Sequence, residues 1–159
     1  MKRKLGNRFG LVLLAAVPLL AGLPPRAGAI KYTGKEYNTL FAGLGAKGYD
    51  VVSYFTDGKP AAGSETYACD YRGVSWRFAS AAHRDLFAKD PAKYVPQYGG
   101  FCSWGVSQGK LFDVDPVNGW TIQDGKLYLN FNAKLNGVFR GDPKEFIAKA
   151  DKNWPELDR

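Results

Sequence analysis

The segment WTIQDGKLYLNF, from Trp120 to Phe131, constrains the fold of this chain more than any other. Two short alternating runs flank Asp124-Gly125. An Asp-Gly pair supplies the two positive-φ positions of a type I′ turn, whose twist matches that of antiparallel strands. The segment therefore predicts a β-hairpin. ETYACDY and VSWRFA flank Arg72-Gly73 and alternate in the same way, which predicts a second hairpin. In its second arm Trp76 and Phe78 share one face, and Ser75 and Arg77 the other. The β-branched and aromatic run YDVVSYF, Tyr49 to Phe55, reads as a further strand ahead of the turn-rich TDGKPAAGS.

Helices are marked by their ends. Ser80 is placed to cap a helix over AAHRDLFAKDPAKYV, with His83, Leu86 and Phe87 on one face. Pro91 is expected to break that helix and Pro96 to end it. Asp142-Pro143 begins a last helix, with Asp142 as N-cap, Pro143 at the first helical position and Phe146, Ile147 and Ala150 available to the core. Strands and helices in this order give an α+β domain: a small, mainly antiparallel sheet of hairpins with two or three short helices. Aromatic residues make up 14% of the chain, so its core or a groove must be rich in rings.

The amino-terminal stretch reads as a targeting signal. MKRKLGNRFG carries Lys2, Arg3, Lys4 and Arg8 and no acid. An apolar run, Leu11 to Leu23, follows, then PPRAGA with small residues at Ala27 and Ala29. That run is shorter than the ~20 residues needed to span a bilayer, so a secretory signal peptide over 1–29, cleaved after Ala29, is expected rather than a membrane anchor. The implied location is the periplasm or the exterior of a bacterium. Residues 30–47 form a glycine-containing lead-in, and 48–157 the domain. Loss of the signal removes five of 22 basic residues and none of the 15 acids, leaving a net charge near +2. No basic run follows Arg26, so nucleic-acid binding is not expected, nor is stable membrane insertion after cleavage.

Few residues are equipped for chemistry. His83 is the sole histidine, a metal-ligand candidate or else a packing residue. Cys102, in YGGFCSWGVSQGK, follows Gly99-Gly100 where a short helix can start. Helix N-terminal N–H groups would favour its thiolate, making it a nucleophile or soft ligand; the alternative is a buried small hydrophobe. In an oxidising compartment Cys69 and Cys102 can also pair as a disulfide, contributing about 3–4 kcal/mol. There is no C-x-x-C, no nucleophile elbow and no phosphate-cradling loop. A Cys102–His83 nucleophilic pair lacks an assignable orienting residue. Asp113 and Asp115, before Pro116, are turn acids or ligands for a hard cation. Tyr49, Trp76, Tyr98, Phe101 and Trp104 are candidates to line a groove for a flat ligand, or to pack the core.

GYDVVSYF, WRFASAAHRDLFAKDPAKYVPQYGGFCSWGVSQGK, VDPVNGWTIQDGKLYLNFN and KADKNWPEL together resemble the secreted bacterial YHS-domain proteins, over Gly48 to Leu157. The resemblance implies the α+β domain. Through the shorter YHS modules of copper-transporting ATPases and some oxygenases, it also implies metal binding. Laid on this chain, the cysteine pattern of those modules falls on Ser53, Ala79 and His83, and only His83 keeps a strong donor. A site rebuilt from His83 and Cys102, with Cys69, would suit copper or zinc. The expectation is an exported binding module rather than an enzyme. Its alternatives are a thiol-redox protein using Cys102 with Cys69, and a structural or interaction domain with a disulfide.

Overall fold

The computed structural model describes residues 36–157. The expected signal peptide and its cleavage point after Ala29 lie outside the described residues. What remains of the lead-in is built into the domain: Asn38, Leu44 and Ala46 are buried, and Leu44 bridges to Ser75.

Tyr49 to Phe55 is not a strand. Tyr49 keeps one antiparallel bridge, to Ala62, and the chain then turns into a one-turn helix, α1 (Ser53–Thr56). Asp50 is the cause. Its Oδ1 accepts from the Val52 N–H at 2.9 Å and the Ser53 N–H at 3.2 Å, and the Ser53 hydroxyl donates to the Asp50 carbonyl at 2.7 Å. Local side-chain bonding to the backbone outweighs the strand preference of Val51, Val52 and Tyr54.

The first hairpin pairs β1 (Ser64–Tyr71) with β2 (Val74–Phe78), Cys69 opposite Trp76, with an irregularity between Ser64 and Ala68. Trp76 and Phe78 face the core together, as their spacing predicts. Ser80 caps α2 (Ala81–Lys89), its hydroxyl accepting from the His83 N–H at 3.2 Å. Of the predicted face Phe87 is fully buried, His83 is half-buried and Leu86 is exposed. Pro91 divides this helix from α3 (Pro91–Tyr94).

The chain next passes through two left-handed residues, Tyr98 (φ 53°) and Gly99 (φ 59°). Gly99 is obligatory on two counts. Its φ suits glycine, and a Cβ there would stand 1.8 Å from the Glu36 carbonyl oxygen. The short helix α4 (Ser103–Ser107) follows. Then comes the second hairpin, β3 (Trp120–Gln123) with β4 (Lys126–Leu129). Its turn residues Asp124 (φ 50°) and Gly125 (φ 71°) both take the positive φ of a type I′ turn.

A helix absent from the sequence reading, α5 (Ala133–Gly141), is capped by Asn132, whose Oδ1 accepts from the Leu135 N–H at 2.9 Å. Gly137 and Gly141 hide it from propensity. The last helix, α6 (Pro143–Leu157), starts as expected, with Asp142 Oδ1 accepting from the Glu145 N–H at 3.0 Å.

The fold is α+β with antiparallel hairpins, as expected, but they form two separate two-stranded sheets and the described residues hold six α-helices rather than two or three. Two aromatic clusters hold it together. One gathers Tyr54, Trp76, Phe78, Phe87, Cys102, Leu127 and Leu129. The other gathers Tyr98, Phe101, Val106, Tyr128, Phe139 and Ala150 where α4 packs on α6. Among the described residues no helix is long and apolar enough to cross a membrane.

Candidate functional site

The residue that brings the chemistry together is Asp50, which the sequence reading did not single out. Its side chain is completely buried, and its two oxygens accept four hydrogen bonds. Oδ1 takes the two α1 N–H groups already described. Oδ2 takes the Ala79 N–H at 2.9 Å and lies 2.6 Å from Nδ1 of His83. One carboxylate thus ties the start of α1, the end of β2 and the first turn of α2. The sequence signal was present: an Asp two and three residues ahead of Val52 and Ser53 is a cap in the making.

The same contact fixes the imidazole. A carboxylate that already accepts three N–H bonds can only accept a fourth, so Nδ1 of His83 carries the donated hydrogen. The free lone pair of the neutral ring is then on Nε2. His83 is 15% exposed, and Nε2 faces Thr56 Oγ1 at 3.3 Å and Asp57 Oδ1 at 3.7 Å. The Thr56 hydroxyl lies 2.8 Å from Asp57 Oδ1. An Asp–His pair opening on a hydroxyl and a half-exposed carboxylate is the arrangement in which a buried acid orients an imidazole for a ligand on its far nitrogen.

Cys102 has other partners. It is the N-cap of α4, fully buried, with Sγ accepting from the Gly105 N–H at 3.4 Å and the Phe131 N–H at 3.3 Å. Its thiol reaches Asn130 Oδ1 at 3.8 Å, and that oxygen accepts from the Trp104 N–H at 3.0 Å. Burial pushes the Cys102 thiol up, and the N–H groups of Gly105, Phe131 and Trp104 only partly offset it. The expected thiolate stabilisation at the helix start is therefore overturned by desolvation. Cys69 is half-buried on β1, and burial raises its thiol too, with Asp70 adding to the effect. Both cysteines are free thiols in the structure.

Among the described residues no group of three or more His, Cys, Asp or Glu side chains gathers as a metal-ligand set. Asp113 and Asp115 are structural acids. Asp113 binds Lys47 Nζ at 2.8 Å and accepts from Asn38 Nδ2 at 3.2 Å, while Asp115 accepts from the N–H groups of Val117 and Asn118. The five groove aromatics are divided. Trp76 is core in the first cluster, Tyr98 and Phe101 are core in the second, and Trp104 packs half-buried against the first. Tyr49 borders a shallow pocket with Phe41 and Val117. Burial of the large rings offers more than a shared open wall would, so the five do not line one groove.

Comparison with known proteins returns no matching family model, no matching curated protein and no matching solved structure.

Proposed function

We propose that the protein is an exported, non-catalytic binding module of the YHS type whose ligand-facing atom is Nε2 of His83. The ligand is a borderline metal ion, copper or zinc, taken by the imidazole with the Asp57 carboxylate as second donor. One observation carries this reading: buried Asp50 holds Nδ1 of His83 at 2.6 Å, leaving Nε2 beside Asp57. Two protein donors leave coordination positions for water or for a group brought by a partner, as in an exchangeable site rather than a closed structural one. The soft set first expected from the sequence does not fit. Cys102 has no exposed surface, and its sulfur is already bonded to backbone N–H groups. The raised thiols speak for the binding reading over a thiol-redox one. The sequence resemblance and the basic, apolar, small-residue leader support the family and the exported location.

Calorimetric titration with Zn(II) and Cu(II) tests the proposal on the wild type and on His83→Ala, Asp57→Asn and Cys102→Ser, with circular dichroism confirming that each is folded. Binding should vanish in His83→Ala, weaken in Asp57→Asn and persist in Cys102→Ser. Binding that ignores His83, or no binding by the wild type, would leave the Asp50–His83 pair as a purely structural clasp.

A further inference from the structure

A cleft of about 630 Å³ opens between the second hairpin and α5, sharing no residue with the His83 site. Trp120, Thr121, Ile122, Gln123, Asn136, Arg140 and Pro143 are among the residues that line it. From the cleft's composition we infer that it binds a small aromatic carboxylate, the acid on Arg140 and the ring against Trp120 and Ile122.

Four observations carry this assignment. First, the cleft is within the size range of small-molecule sites, and Trp120, Ile122 and Pro143 line it beside the polar Asn118, Thr121, Gln123, Asn136 and Arg140. Second, its walls are tied together. Asn136, on α5, donates from Nδ2 to the Trp120 carbonyl at 2.9 Å and accepts at Oδ1 from the Thr121 hydroxyl at 2.8 Å and from Asn130 Nδ2 at 3.0 Å. The cleft is therefore preformed, and a ligand need not order it. Third, Arg140 is exposed and makes no ion pair among the described residues, and no acid lines the cleft. Its fork of N–H donors is free for a planar anion. Fourth, one guanidinium is the only cation among the described residues that line the cleft, which matches a monoanion and leaves a phosphate dianion half-neutralised. Trp120 is half-buried and packs on the first core cluster, its ring 5.2 Å from that of Tyr54 and tilted by 57° to it, so the ring that borders the cleft is held in place.

Titration of the folded protein with benzoate, followed by ¹H–¹⁵N NMR of backbone and side-chain N–H groups, tests the inference. Benzamide, inorganic phosphate and the Arg140→Gln variant are the comparisons. Benzoate should shift the Trp120, Gln123 and Arg140 resonances saturably. Benzamide and Arg140→Gln should each weaken binding about tenfold or more, the scale of one charge-assisted hydrogen-bonded contact. Arg140 makes no ion pair among the described residues, so the variant should melt like the wild type. The inference is overturned if benzoate gives no saturable shift, if Arg140→Gln binds it equally, or if phosphate binds as tightly as benzoate. It stands or falls independently of metal binding at His83.

Discussion

Oδ2 of Asp50 and Nδ1 of His83 lie 2.6 Å apart, although 33 positions separate them in the chain. The acid is wholly buried and the imidazole reaches the surface, so the pair runs from the interior to solvent. Its inner end is structural, because Asp50 also holds three backbone N–H groups. Its outer end is the part with chemical freedom.

Asp50→Ala should therefore damage the fold well before it can inform on function. It strips the acceptor from three backbone N–H groups and from the imidazole. A loss of about 3–5 kcal/mol is expected, the scale of breaking a buried, hydrogen-bonded charged group. Urea denaturation measures it. His83→Ala removes one bond of the four and should cost about 1–3 kcal/mol. An Asp50→Ala protein as stable as the wild type would refute the clasp.

Cys102 should be inert in the native protein. At neutral pH iodoacetamide should label Cys69 faster than Cys102, and full labelling of Cys102 should require denaturant, as peptide mass spectrometry can follow. Cys102→Ala should cost about 1–3 kcal/mol by leaving the Gly105 and Phe131 N–H groups without their acceptor. Cys102 labelling at the rate of a free thiol would contradict its burial.

Much of this architecture is legible in the sequence wherever the rule is local. Asp124-Gly125 and Arg72-Gly73 fix their hairpins because positive φ is a property of the turn residues themselves. Ser80 and Asp142 fix two helix starts because a cap needs only an acceptor and an N–H three positions on. The site was harder to read. The β-branched run at Val51 and Val52 pointed to a strand, and only the side-chain bonds of Asp50 decide otherwise. The residue it clasps comes from the far side of a hairpin, which no spacing rule reveals. Cys102 misled for a related reason: its place at a helix start is local and visible, whereas its desolvation by Leu127, Leu129 and their neighbours is not.

Stability should fall toward high pH. Burial raises the thiols of Cys102 and Cys69 and, with nearby acids, the phenols of Tyr54, Tyr98 and Tyr128 above their ordinary values. For such groups the folded state keeps its proton after the unfolded chain has lost it. Their contribution is thus intact below the unfolded pKa and is lost as pH rises, from about pH 8.5 for the thiols and about pH 10 for the phenols. Asp113 and Asp115 act at the other end. Burial raises each, but hydrogen bonds from Lys47, Val114 and Asn38 to Asp113, and from Asn118 and Val117 to Asp115, outweigh it and hold both low. Their stabilisation is present above the unfolded carboxylate value and declines as pH falls below about 4. Thermal melts across pH 2–11, on the order of one per pH unit, should give a plateau bounded by these two declines. A melting temperature still rising above pH 10 would contradict the first.

Gly99→Ala should be severely destabilising, by about 2 kcal/mol or more, because a positive φ and a backbone clash with Glu36 coincide there. Gly137→Ala, on α5 with open space at its Cβ, should instead stabilise by about 0.5–1 kcal/mol. Denaturation midpoints of the pair separate the two effects, and equal midpoints would refute the left-handed assignment at Gly99.

The most direct test of the central claim is long-range ¹H–¹⁵N NMR of the single imidazole during a zinc titration. Nε2 of His83 should shift to a metal-bound position while Nδ1 remains protonated on Asp50. An imidazole spectrum unchanged by zinc, or a metal found on Cys102 instead, would contradict it.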